Sequence, residues 1–166
     1  MFFRRRPAKR DDGPTQDDGV RVIAVAYDED DGAEARRVAA RAEAWRQLRA
    51  IVAEAVIFQD SAEELLAAIS RREPLAELAP RGGPLIRRFC DLGMRLPESD
   101  DREIQRITAV LGPVFDHHAM MLKYSLDMLA VDWRSPRIVE ELEKIEGLGA
   151  PAARLEDIRA ELVATG

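Results

Sequence analysis

Apolar residues recur at every third or fourth position along most of this 166-residue chain, the spacing of one helical face. The pattern is strongest between residues 100 and 133, where Ile104, Ile107, Leu111, Val114, His118, Leu122, Ser125 and Leu129 keep the period. Asp100 and Glu103 have the spacing of a capping box ahead of that run. Pro113, after Gly112, predicts a kink or a split, because proline removes one backbone donor and crowds the preceding turn. Ser135-Pro136 reads as an N-cap and first helical residue, followed by Val139, Leu142 and Ile145 on one face. Gly147 supplies a left-handed stop, and Pro151 opens a last helix with Leu155, Ile158 and Leu162. Connections this short favour antiparallel packing of successive helices.

The first half of the chain reads less cleanly. Val38, Ala42, Trp45, Leu48, Val52 and Val56 follow the helical period, with Arg41 and Arg49 intruding on the face. With the abundant alanine they favour one long helix from about Ala33 to Phe58. Val20 to Tyr27 is rich in β-branched residues and bounded by Gly19 and an acidic turn, which suits a strand. An α/β alternative stays open, in which 20–27 and 51–58 are strands of a βαβ unit with 33–49 as its crossover helix. Ser61 and Glu64 then read as the capping box of a short helix with Leu65, Leu66 and Ile69 inward. Pro74, Pro80, Gly82 and Gly83 break the pattern and mark 73–83 as a hinge. Pro84 reads as the start of a further short helix with Leu85, Ile86, Phe89, Leu92 and Leu96 inward. Residues 1–19, alternating basic and acidic clusters with Pro and Gly, read as a disordered tail. The expected fold is mainly α: a helical bundle in a single domain over 20–166, a charged disordered N-terminus, and at most a small β element at 20–27.

Composition agrees and narrows the partners. Hydrophobic residues make up 46% and charged residues 34%, enough apolar surface for a core and enough charge for solubility. A net charge of −6 argues against the chain as a whole neutralising a phosphate backbone. One cysteine, Cys90, precludes an intramolecular disulfide and fits a reducing compartment. No apolar run approaches the ~20 residues of a transmembrane helix, and the expected location is the cytoplasm. Phe2 and Phe3 beside Arg4, Arg5 and Arg6 offer a weak contact with an anionic membrane surface.

Candidate chemistry begins with Asp116-His117-His118, which holds both histidines of the chain. Adjacent helical residues diverge by about 100°, so the two rings do not converge on one ion, and the i+4 positions hold Met121 and Leu122 instead of ligands. The reading as structural residues, with His118 inward, therefore leads. The tripeptide, residues 27–32 (YDEDDG) and Asp60 together resemble the motifs of DHH-type phosphoesterases. That resemblance implies metal-dependent phosphoester hydrolysis around Asp28, Asp30, Asp60, Asp116, His117 and His118, although Asp116 here falls in a helical pattern. Residues 142–158 (LEKIEGLGAPAARLEDI) resemble a helix-hairpin-helix element, with Gly147, Leu148 and Gly149 as its turn. The resemblance implies backbone contact with a nucleic-acid phosphate. Glu146 abuts the turn, Pro151 lacks an amide proton, and acidic residues outnumber basic ones from Arg134 onward. Cys90, after Arg87 and Arg88, has neighbours that could activate a thiol, but reads first as a small buried packer. The candidate contact residues are Trp45 and Trp133, as core or interface anchors, and Met120, Met121 and Met128, which with Leu129 leave apolar groups on more than one side of the 100–133 helix. The leading expectation is a non-enzymatic adaptor, scaffold or regulatory subunit that binds protein, a second copy included, and needs no cofactor or catalytic group. The phosphoesterase and the nucleic-acid turn are the alternatives.

Overall fold

The structure, a computed structural model, describes residues 29–132, 135–145 and 147–164. Those residues form five helices and no strand: α1 Glu29–Ser70, α2 Leu75–Met94, α3 Arg102–Asp132, α4 Pro136–Glu143 and α5 Ala150–Ala164. The helical-bundle expectation holds, and the βαβ alternative fails because 51–58 lies inside α1. Residues 1–28, with the expected tail and the 20–27 element, lie outside the described residues, as does Trp133.

α1 is 42 residues long, about 63 Å at 1.5 Å per residue. It touches α2, α3, α4 and α5, and α3 likewise touches all the others. α2 contacts neither α4 nor α5. The bundle is therefore a central α1–α3 pair that carries α2, α4 and α5, with α2 apart from the other two. The central position explains why α1 needs a wide apolar stripe: Leu48, Ile51, Val52, Ala55, Val56, Phe58, Ala62, Leu65, Leu66 and Ile69 are all buried. On α3 every member of the periodic run from Ile104 to Leu129 is buried. Leu155, Ile158 and Leu162 do the same for α5.

Three helix boundaries differ from the sequence reading. Ser61 does not cap a new helix. Its Oγ donates to the Ile57 carbonyl at 3.3 Å, the back-bond a serine makes inside a continuous helix. α1 ends instead in a Schellman turn: Arg72 N–H donates to Ile69 O at 2.8 Å and Glu73 N–H to Ala68 O at 3.2 Å. Arg72, at φ 60°, occupies the left-handed position that glycine usually fills. Pro74 follows and forbids continuation.

Pro84 does not start a helix either. α2 begins at Leu75, and Pro80, Gly82, Gly83 and Pro84 all lie within it. Both prolines are on the exposed side, where the carbonyls they leave unbonded can meet water. Gly82 faces inward, and a Cβ there would overlap Leu126 of α3 and crowd Leu65 of α1. Its bareness lets α2 approach the central pair closely. Leu78, Leu85, Phe89 and Leu92 complete that buried face.

The α3 cap falls on Asp101, one residue past the expected Asp100. Asp101 Oδ1 accepts from Glu103 N–H at 2.8 Å and Ile104 N–H at 3.2 Å. Arg41 of α1 adds an ion pair at 2.5 Å. Burial of this carboxyl works to raise its pKa. The Ile104 and Glu103 amides and the Arg41 guanidinium outweigh that and hold it below the ordinary 3.8. Pro113 is inside α3 and does not split it.

Candidate functional site

His118 sits at the junction of α1, α2 and α3 with no exposed surface. Its position follows from the α3 period, which places it with Val114, Phe115 and Leu122 on the inward side. Its Nδ1 is 2.7 Å from the Val114 carbonyl and its Nε2 3.2 Å from the Gln59 side-chain amide on α1. Phe89 of α2 lies against the ring, centroids 5.0 Å apart. Phe89 also contacts Phe58 edge-on at 6.3 Å and Phe115 at 6.5 Å. Arg88 stacks 4.6 Å over the Phe58 ring. Burial among these rings pushes the His118 pKa from 6.5 down to about 4, against the pull of the Val114 carbonyl.

The other members of the tripeptide point elsewhere. Asp116 is exposed and His117 half-buried. The two imidazole centroids are 6.2 Å apart with planes at 75°. Asp60 is exposed on α1. Asp28 lies outside the described residues, and Asp30 is described in its backbone alone. Among the described residues no three carboxylate, imidazole or thiol groups are placed to hold a metal ion. Cys90 is exposed, not buried, because it follows the inward Phe89 by one residue and so turns about 100° away. Asp127 pairs with Lys123 at 2.5 Å.

His117 instead lines a groove of about 410 Å³ between α3 and the end of α4 with the start of α5, alongside Met121, Tyr124, Lys144, Ile145 and Pro151. Glu141, with Glu140, bonds the Lys144 ammonium and raises its pKa. The Gly-Leu-Gly turn closes this groove. Gly147 at φ 99° and Gly149 at φ 64° adopt backbone that glycine favours, and Leu148 between them is 1% exposed, part of the core. α4 and α5 follow each other across this turn as the spacing suggested, but they pack against α1 and α3 and do not contact each other.

The candidate contact residues divide. Met128 is 6% exposed and serves the chain's own core, so it is not available to a partner. Leu129 is likewise buried. Met121 is half-buried against the core, while Met120 is open at 62%. Trp45 is half-buried at the base of a groove with Arg41, Ala42, Arg46, Arg49 and Glu103. Ahead of the buried Ala44, residues 34–43 of α1 are all exposed, Val38 at 59%, with Arg41 reaching Asp101 at the start of α3. Sequence reasoning grouped Val38, Ala42 and Trp45 with the core stripe. The period there is real, but the described residues leave Val38 and Ala42 exposed and cover Trp45 only in part. No helix among the described residues is long and apolar enough to cross a membrane. Neither a protein-family model, nor a curated protein, nor a solved structure matches the chain.

Proposed function

We propose that this chain is a non-enzymatic helical adaptor or scaffold that recruits a protein partner along the projecting part of α1. The observation that supports this reading is the exposed stretch 34–43. It keeps the apolar spacing of the buried half of α1 (Val38 and Ala42, leading to the half-buried Trp45) while its own residues are exposed. A helix face of that kind is what one helix offers another in ridge-and-groove packing. Its alanines leave room for close approach of a second backbone.

A second copy of the chain is the first partner to test. Light scattering at rising concentration should give a mass above that of the monomer, and Val38→Asp should return it to the monomer value. A monomer mass for the unsubstituted chain at high concentration excludes the second copy. If, in addition, no defined protein binds in a way that Val38→Asp abolishes, the adaptor reading fails.

A further inference from the structure

His118 is the only buried titratable group among the described residues, and the proposed function makes no use of it. Its hydrogen bonds constrain it more than they first suggest. At 2.7 Å from the Val114 carbonyl, Nδ1 cannot be a bare lone pair, so it carries the ring proton and donates. A neutral imidazole then has no second proton, and Nε2 is an acceptor in need of a donor. The Gln59 amide is the group in reach, 5% exposed and placed with Oε1 at 3.2 Å. Oxygen facing a bare nitrogen gives no bond. Turned by 180°, the same amide presents its N–H and satisfies the neutral ring. With Oε1 inward, it satisfies only the imidazolium.

We propose that Gln59 and His118 form an acid-sensitive latch between α1 and α3, in which the neutral ring accepts from the Gln59 amide and protonation of Nε2 reverses that amide and loosens the three-helix junction. The surroundings supply the bias. From α1 the ring meets Gln59, and Phe58 lies in the same cluster, both uncharged; from α2 it meets Phe89. From α3 it meets the Val114 carbonyl and His117, whose like charge opposes a positive His118 ring. Arg88 of α2 is held over the Phe58 ring, a further positive group near the cluster. Glu141 of α4 and Lys144 just after it border the groove that His117 lines. An imidazolium here would have two carbonyl-type dipoles and no bonded carboxylate, so burial disfavours it strongly.

The test is nitrogen NMR of the imidazoles in the full chain across pH, together with a dye that reports exposed apolar surface. In the unsubstituted protein at pH 7, His118 should be protonated at Nδ1 and bare at Nε2, with a titration midpoint near 4. Dye binding should rise over the same range. Gln59→Glu should increase the proton affinity of His118 at least tenfold by supplying the missing carboxylate, and His118→Gln should abolish the rise in dye binding. Protonation at Nε2 at pH 7, titration near 6.5, or an unchanged affinity in Gln59→Glu would each overturn the latch. If the variants do not fold, the tautomer and midpoint of the unsubstituted protein decide alone.

Discussion

The two halves of α1 are one continuous helix in opposite surroundings. From Leu48 to Ile69 the helix is wrapped by all four others, and its stripe is dry. Across 34–43 its residues are exposed, and Arg41 reaches Asp101 at the start of α3. The buried half is held by tertiary packing. The bare half is held by alanine propensity and by extension from a turn already formed, which avoids the cost of nucleation. Pairs such as Glu34–Arg37 and Glu43–Arg46 lie on its surface and contribute only tenths of a kcal/mol. The lesson is that apolar periodicity marks a face for cover without saying whether the cover lies in the same chain.

The sharpest way to separate the halves is to remove apolar volume from each. Phe89→Ala empties the aromatic cluster against Phe58, Phe115 and His118, and should cost about 3–5 kcal/mol in urea unfolding. Val38→Ala in the bare half should stay within about 0.5 kcal/mol. Similar losses at both sites would mean that the bare half is covered within the monomer.

Acid should act on the buried half first. The folded His118 pKa of about 4 lies below the unfolded 6.5, so between these values the unfolded chain binds more protons. The neutral ring's contribution is whole above pH 6.5 and is lost as pH falls toward 4. Across that window the loss approaches about 3 kcal/mol. Asp101 works in a lower window: its pKa is held under 3.8, so its contribution is present above that value and lost only as pH falls beneath it. Unfolding curves at pH 7 and 4.5 should therefore differ mainly through His118, and the difference should shrink in His118→Gln.

The contact between flank and centre can be probed at Gly82. Gly82→Leu drives a side chain into Leu126 and Leu65 and should cost about 1–3 kcal/mol, measured by the urea midpoint at unchanged slope.

These positions also show what could be read without coordinates. The α3 stripe was legible because it is long, strictly periodic and capped. His118 was legible as an inward residue for the same reason. Its partner was not: Gln59 is 59 residues away, and a glutamine on a helix carries no signal that it is buried. α1 was legible to Phe58. Its passage through Ser61 was not, because a serine with a glutamate three positions later suits a cap and a continuous helix equally well. Prolines misled at α2, where Pro80 and Pro84 fall on the exposed side and Gly82 on the packed one, a sorting that only the tertiary contact reveals. Arg72 hid the true end of α1, since arginine does not announce a left-handed turn.

The smallest expected effect is the most discriminating for function. Val38→Asp places a charge on a side chain that is 59% exposed, on a helix flank where valine and aspartate have similar propensities. In dilute protein its stability should match that of the parent within about 0.5 kcal/mol. If the bare half of α1 pairs with a second copy, the parent gains stability as concentration rises, because association draws the folded state forward by mass action. Val38→Asp should not share that gain. Two melting curves at low concentration that superimpose, and two at high concentration that separate, would tie this face to association. Curves that superimpose at both concentrations would leave the face to a different protein, and curves that separate at both would show that the chain covers Val38 itself.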